Sequence, residues 1–178
     1  MSSTGETSLS NLLRTLTVTI SPTTYTFLTL PPNHNTPITI SISAQGPSDS
    51  NGIQMLFHEP SENRWTLIID NAFSETLKTY QIPGSETSPT QWRMLTLNVQ
   101  SSLDAVGFMA VVSKALGEAG VSANVVAGYL HDHVFVQEDR VEKAKEALER
   151  VREDANKVVA SDQLTSSEVM RHQSCMGI

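Results

Sequence analysis

The segment Met94-Leu-Thr-Leu-Asn-Val-Gln-Ser-Ser-Leu-Asp-Ala-Val-Gly-Phe108 decides the fold of this chain, because its apolar spacing changes from that of a strand to that of a helix. Between Met94 and Val99 apolar and polar residues alternate, which predicts a half-buried strand. Asp104 is predicted to cap the following helix, because its carboxylate can accept hydrogen bonds from the first free backbone N–H groups. That helix is predicted to end at Gly120 and to bury one apolar face, formed by Phe108, Val111, Val112, Ala115, Leu116 and Ala119.

The residues after this helix complete a larger unit. Residues 121–129 predict a second strand, His131 and Asp132 a tight turn, and residues 134–136 a third strand. From residue 140 to residue 155 the apolar residues recur at helical spacing opposite a charged face, which predicts an amphipathic helix. The order strand, helix, strand, strand, helix is one strand short of the ferredoxin-like βαββαβ motif.

The first half repeats this order with a weaker pattern. A short helix is predicted for residues 9–16, a strand for 25–30, a hairpin for 53–57 with 65–69, and a helix for 72–80. Within residues 31–51, the alternating segment from Ile38 to Ile42 and a Gly/Pro/Ser/Asp loop predict an extra edge strand and a mobile insertion.

A boundary between the halves is predicted near residues 84–91, where Pro, Gly and Ser are concentrated. We predict a first unit over residues 1–90, a second over 91–157 and a loosely ordered polar tail over 158–178. The predicted fold class is α+β, with ferredoxin-like units in tandem, antiparallel sheets and helices on one face. Because six strands are too few for two complete units, a further strand is predicted to come across the domain pair, from residues 38–42, or from a second chain.

Composition excludes several classes of protein. The 178 residues carry a net charge of -7, which argues against nucleic acid as a partner, because phosphate binding needs clustered Lys and Arg. No apolar run approaches the roughly 20 residues that span a bilayer, so no membrane partner is predicted. Residues 1–10 lack the basic and apolar regions of a secretory signal, and the one Cys, Cys175, excludes an internal disulfide framework. We therefore expect a cytoplasmic protein.

Two segments of the second half, residues 97–108 and 122–136, resemble small tandem ACT-domain proteins, which are related to aspartate kinase regulatory domains and to cytosolic arginine sensors. The start Thr4-Gly-Glu-Thr-Ser-Leu9 and the strands at residues 25–29 and 65–69 are also similar to that family, so the likeness spans most of residues 4–155. The insertion at residues 36–51 and the tail depart from the family pattern. The resemblance implies two ACT units packed side by side that bind a small metabolite and regulate another activity.

The turn from the strand into the helix is the first candidate site, and it contains Ser101, Ser102, Leu103, Asp104, Val106, Gly107 and Phe108. The free N–H groups and positive dipole end of a helix attract a carboxylate. Asp104 offers a negative partner for an ammonium group, and Gly107 lets a ligand approach the backbone closely. These features suit a zwitterionic amino acid, and the resemblance points to the same turn. The alternative is that Asp104 only caps the helix and that Gly107 only packs.

The second candidate site is the strand segment Asn124, Val125 and Val126. The resemblance places this strand against the partner domain, where these residues would line the ligand. The apolar pattern alone favours a buried strand for Val125 and Val126. The amide of Asn124 in such a strand needs a hydrogen-bond partner.

His131-Asp132-His133 is a candidate for a divalent metal, but an i, i+2 pair supplies only two ligands. The other histidines, His34, His58 and His172, show no paired metal spacing, so a turn with local hydrogen bonds is favoured and no metal or cofactor is predicted. Nucleophile, nucleotide-binding and zinc-hydrolase motifs are absent, so the chain is not predicted to be an enzyme.

The function predicted from these patterns is that of a non-catalytic regulatory protein of the tandem ACT type. Its ligand is predicted to be an amino acid or a related metabolite, and the chain is predicted to form a homodimer. Two alternatives stay open: a small metal-dependent enzyme at the turn of His131 and His133, and a dimerisation or interaction module without a ligand.

Overall fold

The structure, a computed structural model, describes residues 5–32 and 52–175. Its elements follow in the order α1 (Leu9–Thr15), β1 (Val18–Leu30), β2 (Ile53–Glu59), β3 (Arg64–Asp70), α2 (Asn71–Thr79), β4 (Glu86–Thr87), β5 (Trp92–Leu97), α3 (Phe108–Glu118), β6 (Ala123–Ala127), β7 (Asp132–Gln137), a 3₁₀ turn (Glu138–Arg140) and α4 (Val141–Cys175). The predicted edge strand at residues 38–42 lies outside the described residues.

The strands form one antiparallel sheet that the two units share. Its order is β2-β3-β1-β5-β7-β6, with β4 paired to β1. Residues 18–20 at the start of β1 pair with the end of β5, and residues 25–30 pair with β3. The second unit therefore has the four-stranded order of a βαββαβ motif only when the start of β1 is counted as its last strand. The predicted α+β fold with tandem ferredoxin-like units is confirmed, and the further strand comes from across the domain pair.

A bulge interrupts the pairing of β1 with β5, since the register shifts between Ile20 and Thr24. Arg93 of β5 stabilises the bulge: its Nε and Nη2 donate to the Ser21 carbonyl at 3.0 and 2.7 Å. The Arg93 Nη1 also lies 3.4 Å from the Glu138 carboxylate. A bulge of this kind bends the strand and increases its local twist.

The helices pack on one face of the sheet. The helix α1, which the sequence placed in the first unit, packs instead with α3 and α4 of the second unit. These three helices enclose an apolar cluster whose least exposed members include Leu12, Leu95, Leu97, Val112, Leu116, Val134 and Leu148. In the first unit α2 packs through Leu77 on Leu28, Leu30, Leu67 and Ile69. Burial of one such side chain stabilises the fold by about 1.5–3 kcal/mol, so these clusters hold the helices in place.

The opposite face of the sheet carries an aromatic cluster that joins the units. Tyr25 and Phe27 come from β1, Trp92 from β5 and Phe135 from β7. The ring centroids of Tyr25 and Phe135 are 5.5 Å apart, and those of Phe27 and Trp92 are 5.2 Å apart, in edge-to-face geometry. Such pairs stabilise beyond the area they bury, so the contacts oppose separation of β1 from the second unit.

The last helix is longer than predicted. Where the sequence predicted a loosely ordered tail, α4 continues to Cys175. Residues 141–175 contain neither Pro nor Gly, so no residue of the segment breaks a helix, and polarity alone is a poor guide to disorder. Among the described residues, no helix combines the length and the apolar character that crossing a membrane requires.

Candidate functional site

The loop at residues 98–107, here called the corner, joins the end of β5 to the start of α3. Gly107 precedes the helix with a φ of 91°, in the left-handed region that glycine adopts without strain. Among the residues that the structure describes, no side chain caps α3. The first N–H groups of a helix have no acceptor within the helix, so the positive end of α3 has no side-chain partner.

Asp104 does not cap α3, contrary to the prediction, because the helix begins four residues later. The backbone first makes a separate turn, in which the N–H of Ala105 donates to the Ser102 carbonyl at 2.9 Å. The side chain of Asp104 is exposed, and its carboxylate has no hydrogen bond or ion pair with another described residue. The corner thus combines an uncapped helix end with an unpaired carboxylate.

The two serines of the corner form hydrogen bonds with other residues of the chain. The Ser101 hydroxyl donates to the Asp132 carboxylate at 3.1 Å. Ser102 is 5% exposed, and its backbone N–H donates to the Glu6 carbonyl at 2.9 Å. Phe108, also predicted to line the site, is 2% exposed and lies in the core. Ser101, Ser102 and Phe108 therefore position the loop.

Leu103 and Val106 are the apolar residues that the corner presents to solvent. Leu103 is 69% exposed and Val106 is 83% exposed. The corner therefore leaves two large apolar side chains available for contact with another molecule.

The N-terminal segment covers one side of the corner, which the sequence did not predict. The N–H of Glu6 donates to the Gln100 carbonyl at 2.9 Å, and Glu6 forms a parallel bridge with Ser101. A Cβ on Gly5 would lie 2.5 Å from the backbone nitrogen of Ser102, so only glycine permits this approach. No spacing or motif within residues 5–6 indicates such a contact.

The carboxylate of Glu6 fixes this segment to α1. It accepts hydrogen bonds from the Ser8 N–H at 2.7 Å and the Asn11 amide at 3.0 Å. The bond from the Ser8 N–H is the main cause that lowers the pKa of Glu6, with the Asn11 bond second.

The second candidate segment lies in β6, which is the edge strand of the sheet. Asn124 pairs with Phe135 and Val126 with His133, so these two side chains lie on the aromatic face, whereas Val125 pairs with Val134 on the helix face. The expected burial of Val125 is wrong, because an edge strand is covered on fewer sides and Val125 is 40% exposed. Asn124 is exposed, so its amide needs no protein partner. Within one chain the three side chains do not converge on the corner.

The residues of the His131-Asp132-His133 segment diverge. The Nδ1 of His131 lies 3.3 Å from the Val99 carbonyl, and the Nδ1 of His133 lies 3.0 Å from the Thr96 hydroxyl. Asp132 accepts from Ser101 on the other face. Burial, followed by the nearby charge of His131, lowers the pKa of His133, while Asp132 opposes that shift. Among residues 5–32 and 52–175, no group of three or more His, Cys, Asp or Glu residues is placed to hold a metal ion.

Comparison with protein families finds the ACT domain in both halves of the chain: residues 4–79 match one model described as an ACT domain, and residues 87–150 match a second. No relative is found among curated protein sequences.

Solved structures share the fold. A protein of unknown function from Vibrio cholerae is 28% identical, with a TM-score of 0.62, over 81% of this chain and 95% of that one. The regulatory subunit of aspartate kinase from Thermus flavus is 12% identical, with a TM-score of 0.56, over 76% of this chain and 97% of that one. Aspartate kinase from Clostridium acetobutylicum is 14% identical, with a TM-score of 0.56, over 77% of this chain and 34% of that one.

Proposed function

Because this chain is a tandem ACT-domain protein, we propose that it is a non-catalytic regulatory protein that binds an amino acid or a closely related metabolite at the corner. The ACT domain supports a regulatory, ligand-binding role; the class of ligand and its site are our proposal. The observation that carries it is the uncapped start of α3 beside the unpaired carboxylate of Asp104.

The two charges of a zwitterion match these two features. A ligand carboxylate would accept hydrogen bonds from the first N–H groups of α3 and interact favourably with the helix dipole. The ligand ammonium would pair with Asp104, which has no protein partner among the described residues. Gly107 has no side chain to obstruct the approach, and Leu103 and Val106 offer apolar contact for the ligand side chain.

A homodimer would complete the site. Leu103 and Val106 are too exposed to enclose a ligand within one chain. The edge strand β6 carries Asn124, Val125 and Val126, and no described strand pairs with its outer side. We place these residues at the interface with a second copy, where they would cover the ligand. We propose that this dimer is cytoplasmic.

Regulation would follow from a shift in population. A ligand held between two copies binds the dimer better than the separated chains, and it favours that arrangement by as much as its affinities for the two differ. The fraction of dimer would then follow the ligand concentration and set the activity of a partner enzyme or transporter, and the chain itself would catalyse no reaction.

Thermal unfolding in the presence of each standard amino acid tests the proposal. One amino acid, or a small related group, is expected to raise the unfolding temperature, since ligand at 100 times its Kd stabilises the folded state by about 2.7 kcal/mol. Calorimetric titration of that amino acid should then show an affinity at least roughly tenfold weaker in Asp104→Asn, because the charge of one ion pair is lost.

Asp139→Asn is the matched control, because the Asp139 side chain is 70% exposed and lies outside the corner. It should bind the amino acid like the wild type. The proposal is wrong if none of the amino acids stabilises the protein, or if Asp104→Asn binds the stabilising amino acid as tightly as Asp139→Asn does.

A further inference from the structure

A cavity of about 230 Å³ lies in the first unit, and none of the corner residues lines it. Its floor is the helix side of the sheet, where Leu28 and Leu30 of β1 and Ile69 of β3 are each at most 6% exposed. One wall is α2, and the other is the segment from residue 81 to residue 87. The cavity is therefore a cleft between α2 and the sheet of the first unit.

The face of α2 that lines the cavity is more polar than is usual for a helix face turned toward a core. Ser74, Leu77 and Lys78 are spaced i, i+3 and i+4, the positions that an amphipathic helix fills with apolar residues. Ser74 is 8% exposed and lines the cavity, yet its hydroxyl has no hydrogen bond with another described residue. The hydroxyl is accessible from the cavity, so it is free to hydrogen-bond with a polar group that enters there.

The described residues that line the cavity carry positive charge and no negative charge. Lys78 is its cationic residue, and none of the described residues that line it is acidic. The Nζ of Lys78 lies 2.5 Å from the Glu75 carboxylate, in an ion pair whose side chains are 62% and 70% exposed. Exposed pairs of this kind contribute little to stability, so Lys78 can exchange Glu75 for another anion.

The walls of the cavity are fixed by hydrogen bonds. Arg64 donates from Nη2 to the Gly84 carbonyl at 2.6 Å and from Nε to the Thr29 hydroxyl at 2.8 Å. The Ser85 hydroxyl donates to the Ile82 carbonyl at 2.8 Å. A site whose walls are already ordered loses less entropy when a ligand binds.

We propose that this cavity binds a short aliphatic monocarboxylate. The chain of the ligand lies on Leu28, Leu30 and Ile69, and its carboxylate accepts hydrogen bonds from Ser74 and Lys78. At about 30 Å³ for each water-sized group, the volume takes roughly eight non-hydrogen atoms, the number in hexanoate. A free amino acid fits less well, because none of the described residues that line the cavity is acidic and could pair with its ammonium group.

The test is a titration of the full chain with sodium hexanoate, followed by calorimetry and by NMR of the methyl groups of leucine and isoleucine. Saturable binding with shifts at Leu28, Leu30, Ile69 and Leu77 is expected. Hexanamide, which has the same size and no charge, should bind at least tenfold more weakly.

Two variants change the cavity in different ways. Lys78→Met should weaken hexanoate binding at least tenfold and leave hexanamide binding unchanged, because it removes only the cation. Ser74→Leu should abolish binding of both compounds without lowering the unfolding temperature, because leucine fills apolar space. Lys114→Met is the matched control, since Lys114 is a 75% exposed helical lysine paired with Glu118.

The proposal is overturned if hexanoate does not saturate the protein, or if Lys78→Met and Ser74→Leu bind it like Lys114→Met. Asp104→Asn should leave hexanoate binding unchanged, because the corner and the cavity share no residue. The two proposals can therefore fail separately.

Discussion

At the scale of single residues, glycines determine the shape of the corner. Gly107 turns the backbone into α3 with a φ of 91°, and Gly5 lets the N-terminal segment lie against the backbone of Ser102. Neither position accepts a side chain without strain, although for different reasons: the first needs a left-handed backbone, and the second needs empty space. Gly117 of α3 needs neither.

Gly107→Ala and Gly117→Ala should therefore have opposite effects. Alanine at position 107 would adopt a left-handed conformation, and its Cβ would lie 3.3 Å from a methyl of Leu9, so the free energy of unfolding should fall by about 1–2 kcal/mol. At position 117 a Cβ meets nothing within 4 Å, so alanine should raise that free energy by about 0.5–1 kcal/mol. Urea denaturation measures both, and equal effects would contradict the assigned backbone conformation.

At the scale of elements, β1 is unusual because one strand completes two units. Residues 18–20 and 24–25 of β1 pair with β5, and residues 25–30 pair with β3. β3 and β5 pair with opposite edges of β1, and the bulge between Ile20 and Thr24 shifts the register with β5 part way along the strand. Arg93 donates two hydrogen bonds to the carbonyl of Ser21 inside this bulge.

Arg93→Lys tests the role of the bulge, because lysine keeps the charge but cannot reproduce the paired donation of the guanidinium. We expect the free energy of unfolding to fall by about 1.5–3 kcal/mol, the range for a hydrogen bond to a charged group. The control Arg150→Lys, at a 73% exposed position of α4, should change it little. If the two variants are equally stable in urea, the bulge does not depend on Arg93.

At the scale of the whole molecule, the shared strands make the two units one body. The start of β1 belongs to the sheet of the second unit, the start of β5 pairs with β1, and the aromatic cluster bridges both. Unfolding of one unit would therefore remove a strand from the other. The two ACT domains should unfold in a single transition.

Two probes in one variant can measure this. Trp92→Phe leaves Trp65, in β3 of the first unit, as the only tryptophan, while circular dichroism reports mostly on α3 and α4 of the second unit. Fluorescence and circular dichroism should give the same midpoint in urea. Two separate midpoints would show that the units unfold independently, and the strand sharing would then add little to stability.

Much of this structure follows from local sequence patterns. The hairpin of β2 and β3, the helices α1, α2 and α3 and the strands β5 and β7 lie close to the residues where apolar spacing predicted them. Local periodicity suffices for these elements, because an apolar face selects helix or strand wherever one side of the segment is buried. The corner was found in the same way, from the change of period between Leu97 and Phe108.

Only the tertiary structure decided how the elements share their edges and what the corner contains. The bulge in β1, the contact of Gly5 and Glu6 with the corner and the exposure of β6 depend on residues far apart in the chain. The cap of α3 at Gly107 instead of Asp104 was likewise visible only in the structure, where Gly107 has a φ of 91°. Periodicity describes which face of a segment is buried, whereas the partner that buries it is chosen by the free energy of the whole fold.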